Sequence, residues 1–90
     1  MVVEFPFQQE IKDGYILREF KFDVDSEELI WHRDKRNRVV EVVRSTNWML
    51  QLDNQLPIRL IEGNKYTIPK EVFHRVHKGE GDLVIKIYED

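Results

Sequence analysis

Ninety residues with no cysteine and a formal net charge of −3 leave room for one domain spanning residues 1–90 and a single core, because a chain of this size buries only about 60 to 65% of the surface its unfolded form exposes. The acidic balance argues against a nucleic-acid partner, whose phosphates are bound mainly by Lys and Arg, and the missing cysteines exclude disulfides, thiolate metal sites and cysteine nucleophiles. Two Trp, three Tyr and five Phe exclude wholesale disorder.

Met1-Val2-Val3-Glu4-Phe5-Pro6 has no positive n-region, and its apolar run is far shorter than a signal peptide or a span of about 20 residues. The expectation is a cytoplasmic protein with no membrane partner. Val2 to Phe7 reads as an edge strand interrupted by Pro6 and ended by Gln8-Gln9, since proline cannot donate to a ladder. Asp13-Gly14 is a turn signal. Tyr15 to Phe22 follows as a strand, with Ile16, Arg18, Phe20 and Phe22 on one face and Tyr15, Leu17, Glu19 and Lys21 on the other. Asp23 to Glu28 reads as an acidic loop.

Leu29 to His32 is the next strand, and a charged connection, Asp34-Lys35-Arg36-Asn37, leads into β-branched Arg38 to Arg44, so the two are expected to pair as a hairpin. Ser45-Thr46-Asn47 and Asp53-Asn54 bracket a strand over Trp48 to Leu52. Leu56 to Ile61 carries Pro57, which marks an edge position. After Glu62-Gly63-Asn64 come three short strands, Lys65 to Ile68, Val72 to His77 and Asp82 to Tyr88. About eight or nine short strands at this spacing, with no helix signal longer than a turn, predict an all-β sandwich or barrel. There is no internal repeat, and four isolated glycines exclude a phosphate loop or dinucleotide fingerprint, so no nucleotide cofactor is expected.

The chemistry concentrates at Trp31-His32-Arg33-Asp34 and at His74. His32 and Asp34 are two residues apart, so in an extended chain the imidazole and the carboxylate project from the same face. With His74 they make two His and one carboxylate, the ligand set of a facial triad, which suits a divalent metal such as Fe(II) and leaves positions open for water and substrate. The same three residues also serve as a metal-free hydrogen-bond network, with Asp34 accepting from His74, Arg38 or Arg75.

Gly63-x5-Pro69-x4-His74 resembles the second motif of the cupin family, in which Gly, Pro and a metal-binding His stand at these intervals. Glu71 stands where the family often has a second Gly, and Lys78 where it often has Asn. The family's first motif has two His one residue apart and then a Glu. Here His32 takes the first position, Asp34 replaces the second His, and Arg38 stands where the Glu would be. Trp31 to Asp34 and His74-Arg75 are also similar to stretches in small cupin-like proteins of tailed phages and environmental bacteria. The resemblance covers Leu29 to Ile87. It implies a small jelly-roll β-barrel, or double-stranded β-helix, often dimeric, whose mouth holds Fe, Mn, Ni or Zn in some members and no metal in others.

Arg38 and Arg75 have a further reading as a fork for the carboxylate or phosphate of a small-molecule ligand beside the metal, against ordinary ion pairs in a chain with 34% charged residues. Gln51 either faces the same cavity as a substrate hydrogen-bond donor or lies on the outer face. His77 falls on the opposite strand face from His74 and reads as a surface histidine. Trp31 and Trp48 read as core or wall aromatics. Two functions are open. One is a metal-dependent enzyme of dioxygenase or isomerase type acting on a small polar or anionic molecule. The other is a non-catalytic, metal-free module binding a small molecule or a partner. A homodimer is expected, since the apolar Val2, Val3, Phe5 and Phe7 strand needs an edge to pair with.

Overall fold

The computed structural model describes residues 7–21 and 31–90. Its elements are strands: β1 (Phe7–Ile11), β2 (Ile16–Phe20), β3 (Arg38–Arg44), β4 (Met49–Leu52), β5 (Ile58–Arg59), β6 (Lys65–Ile68), β7 (His74–His77) and β8 (Leu83–Glu89). They form two antiparallel sheets, one ordered β1-β2-β8-β3-β6 and one ordered β5-β4-β7. Among the described residues no helix is long and apolar enough to cross a membrane.

Period-two alternation decides what each strand buries. In β8, Leu83, Ile85 and Ile87 are buried. In β3, Val40 and Val42 are buried opposite Ile87 and Ile85. Phe20, Trp48, Leu50, Leu60 and Ile68 complete the core, with Ile16, Leu52, Tyr66 and Val76 packed against it. Trp48 is fully buried, and its indole N–H donates to the Gly81 carbonyl at 3.0 Å, which satisfies the polar atom that burial would otherwise strand. Beside it, Gly79 lies so close to the neighbouring chain that a Cβ there would stand 2.3 Å from the Thr46 carbonyl oxygen and 2.5 Å from the Trp48 nitrogen.

Two expectations change. Where a strand is expected to stop at Phe7, β1 runs from Phe7 through Gln8 and Gln9 to Ile11, because an edge strand tolerates polar residues, and Gln9 Oε1 accepts from both Nε and Nη2 of Arg18 opposite it. Residues 1–6 and 22–30, on which the expectations of a strand from Val2, an acidic loop and a strand start at Leu29 fall, lie outside the described residues. The hairpin between the His32 segment and β3 does not form, since both edges of β3 are already taken, by β8 and by β6. His32 pairs instead with His74.

That pairing positions the site. His32 meets β7 on the edge away from β4, and β3 then starts in the other sheet, so the chain crosses between sheets over residues 34–38. Asn37 pins the crossing. Its Oδ1 accepts from the Lys70 amide at 2.9 Å and its Nδ2 donates to Asp90 Oδ2 at 3.0 Å.

Candidate metal centre

His32 and His74 face each other as an antiparallel pair that exchanges both backbone hydrogen bonds, His32 N to His74 O at 3.0 Å and His74 N to His32 O at 2.8 Å. Directly opposed residues put their side chains on the same face, and the two imidazole centroids are 4.3 Å apart. Asp34, two residues on, returns to that face, and its backbone carbonyl accepts from the Glu71 amide at 2.7 Å. Glu71 holds a left-handed φ of 64° to make this turn. One ligand atom from each of His32, Asp34 and His74 lies within 4.8 Å of the others.

His74 is buried and His32 is exposed. His74 Nδ1 lies 2.9 Å from the Val72 carbonyl oxygen; a carbonyl only accepts, so Nδ1 carries the proton. Burial, the largest influence, lowers the His74 pKa below its ordinary value; His32 and Arg38 push the same way, while the Val72 bond and Asp34 oppose. The neutral ring therefore presents a bare Nε2, and that nitrogen points at Asp34 Oδ2, 3.3 Å away.

Two lone-pair atoms thus confront each other across a gap that suits a cation. Asp34 Oδ2 is buried and receives no hydrogen bond from the described residues. Arg38 Nη1 approaches it to 3.3 Å without hydrogen-bond geometry, while Arg38 Nε is committed to Glu89 Oε2 at 2.9 Å. Ligand bonds of about 2.0–2.2 Å set neighbouring ligand atoms roughly 3 to 3.5 Å apart, so the Asp34–His74 pair already has the spacing of two ligands of one ion. His32, which is exposed, completes the set. The donor chemistry fits Fe(II), Mn(II), Ni(II) or Zn(II).

Arg38 stands with this cluster. Gln51 and Arg75 do not, because they alternate with Leu52 and His74 and so face outward from the three-stranded sheet. There Arg75 lies over the Trp31 ring at 4.8 Å and donates from Nε to Gln51 Oε1 at 3.3 Å, and His77 shares that oxygen at 2.7 Å. Trp31 is therefore a half-exposed stacking partner on the outer face, whereas Trp48 belongs to the core.

Two charged residues near the site were not singled out from the sequence. Glu89 stands directly opposite Arg38 across the β3–β8 ladder. Arg18 shares the core-facing side of β2 with Ile16 and Phe20, and its pKa is lowered to about 10, first by burial and then by Arg38, with Asp34 and Glu89 opposing. The signal for Arg18 was visible as a lone cation on an otherwise apolar strand face.

No family model and no curated protein sequence matches the chain. Solved structures do. KdgF from Halomonas sp. matches with a TM-score of 0.74 at 19% identity, over 99% of this chain and 84% of that one. A cupin-2 domain protein from Shewanella frigidimarina matches with a TM-score of 0.64 at 21% identity, over 97% of this chain and 81% of that one. The chain has the cupin fold. The Fe(II) form of HppE is a further cupin-fold match, with a TM-score of 0.64 at 10% identity over 100% of this chain and 60% of that one. At such identities the likeness is one of fold, and any function must be argued from this chain's own side chains.

Proposed function

We propose that this cupin binds one divalent metal through His32, Asp34 and His74. The observation that carries the reading is the bare Nε2 of buried His74 set 3.3 Å from Asp34 Oδ2, a carboxylate oxygen with no hydrogen-bond donor of its own among the described residues. A cation between them turns a repulsive contact into two bonds. Two His and one carboxylate favour Fe(II), and the structure of HppE, which shares the fold, is of an Fe(II) protein. The ion would act as a Lewis acid on a bound small molecule at its open positions. This makes a metal-dependent enzyme of dioxygenase or isomerase type the first functional reading. In it, His74 is held in the ligating tautomer by Val72, Asp34 supplies the anionic ligand, and Arg38 stands beside them as a fixed cation.

One observation favours a second reading. Arg38 already brings a positive charge to Asp34, and a cation there opposes a metal. In that case the cluster is a metal-free polar network in a binding module.

Elemental analysis of the purified protein after reconstitution with Fe(II), Mn(II), Ni(II) and Zn(II) separates the two. One equivalent of metal in the unmodified protein, with loss in His74→Ala and Asp34→Asn, is the result expected. Substoichiometric metal with all four ions would sink the enzyme reading and leave the binding module.

A further inference from the structure

Each ligand histidine sits in the same kind of triplet, an aromatic residue, the histidine, then an arginine: Trp31-His32-Arg33 and Phe73-His74-Arg75. The chain's third histidine, in Val76-His77-Lys78, has neither neighbour and is not part of the ligand cluster. Antiparallel pairing of the two triplets at His32 and His74 sets Trp31 opposite Arg75 and Arg33 opposite Phe73. Successive side chains alternate between faces, so both histidines project to one side of the pairing and all four flanking residues to the other. The contacts follow that register. The guanidinium carbon of Arg75 lies 4.8 Å from the centre of the Trp31 ring, and that of Arg33 lies 5.2 Å from the centre of the Phe73 ring. Two cation–π pairs thus run in opposite directions across the outer face, one on each side of the paired histidines.

These pairs meet a need of the site. His74 is buried and Asp34 is half-buried beside Arg38, whereas His32 is exposed. Among the described residues, its stretch is joined to β7 by one bridge and not by a ladder. Hydrogen bonds at a single residue pair fix a point but leave the stretch free to roll about it. Contacts to either side of that point oppose the roll. Both guanidiniums are themselves anchored. Arg75 Nε donates to Gln51 Oε1 at 3.3 Å, and Gln51 Nε2 donates to the Gln55 carbonyl at 3.0 Å. Arg33 Nε lies 3.5 Å from Glu71 Oε2, in the turn that also binds the Asp34 carbonyl.

We propose that Trp31, Arg33, Phe73 and Arg75 are positioning residues for the metal centre, holding exposed His32 in place from the opposite face of the pairing. The inference rests on the metal-binding reading above and extends it to residues on the far side of the strands. A ligand held in advance loses less freedom when the ion arrives, so affinity is gained with no added bond to the metal.

The test uses the aromatic partners. Replacing Arg33 or Arg75 would also remove a positive charge near a divalent ion, which favours the ion and masks the loss, whereas Trp31→Leu and Phe73→Leu leave the charge unchanged. Ni(II) affinity is read by calorimetric titration, with denaturant titration of the metal-free protein showing that each variant is folded. Each Leu variant is expected to bind Ni(II) about two- to fivefold more weakly, the range of one exposed cation–π pair, and the double variant about tenfold more weakly. Trp31→Tyr keeps a ring under the guanidinium and should fall between Trp31→Leu and the unmodified protein. Lower stability alone does not produce these losses, because a protein that stays almost wholly folded presents its site undiminished. In His32→Ala the same Leu substitutions should change the remaining Ni(II) affinity by less than about twofold, since the residue they act through is gone. Unchanged Ni(II) affinity in the double Leu variant, or an equal loss with and without His32, would overturn the positioning role. Failure of the unmodified protein to take up any of the four metals would instead overturn the metal reading on which it rests.

Discussion

Buried His74 points its unprotonated Nε2 at Asp34 Oδ2 from 3.3 Å, because the Val72 carbonyl holds the only proton of the neutral ring on Nδ1. The geometry is poor for a metal-free core and good for an ion.

Asp34→Asn tests that contrast. The amide keeps the shape of the carboxylate and can donate Nδ2–H to the bare His74 nitrogen, a new hydrogen bond that offsets the weakened contact with Arg38, which retains Glu89. Metal-free stability by denaturant titration should change by less than about 1 kcal/mol, the scale of one such bond. Metal affinity should fall at least about tenfold, since the single anionic ligand is gone. A loss of about 3 kcal/mol or more with unchanged metal content would show instead that Asp34 chiefly anchors Arg38.

Acid should weaken the metal-free protein in a defined window. Both His74 and His77 have pKa values below the ordinary 6.5, His74 by burial and His77 by burial and then Arg75. The unfolded chain therefore takes up protons at these imidazoles before the folded chain does, and stability is present in full above about pH 6.5 and declines as pH falls below it. Denaturation midpoints measured at about pH 7.5 and 5.5, above the range where ordinary carboxylates titrate, should be lower at the acid end. A midpoint that rose on acidification would contradict the burial of neutral His74.

Glu71→Gly should stabilise the fold and leave metal binding intact. Glu71 sits at φ 64°, a left-handed conformation that costs an L-residue roughly 1–2 kcal/mol, against the roughly 0.5–1 kcal/mol of extra chain entropy that glycine loses. The Arg33–Glu71 contact given up is 3.5 Å between exposed groups and contributes little. A net gain of up to about 1 kcal/mol corresponds to a melting temperature higher by several degrees in a domain of this size. A lower melting temperature would mean that the side chain of Glu71 matters more than its backbone.

Gly79→Ala should be among the most damaging single-atom changes. The added methyl would meet backbone of Thr46, Asn47 and Trp48 at 2.3 to 2.5 Å, and those atoms belong to the turn that seats fully buried Trp48. The expected cost is about 3 kcal/mol or more, the upper range for overpacking, read as a shift of the unfolding midpoint. A shift below about 1 kcal/mol would show that this turn yields easily.

Local chemistry in the chain determined the strand content and the ligand types. β-Branched and other strand-forming residues in Arg38 to Arg44 and Leu83 to Tyr88, and turn residues at Asp13-Gly14 and Glu62-Gly63-Asn64, are short-range signals that survive folding, so β2, β3, β4, β6 and β8 were legible within a residue or two. His32 and Asp34 share a face for the same reason, a period of two. Pairing was not legible, because strand partners are chosen by competition over the whole chain. Only the tertiary structure showed that β8 and β6 occupy both edges of β3 and send His32 to His74. Long-range packing likewise decided which polar groups meet. It set Gln51 and Arg75 on the outer face by their register with β7 and β4, and it brought Arg38, held by Glu89, to Asp34 in a half-buried layer where charges answer to their neighbours.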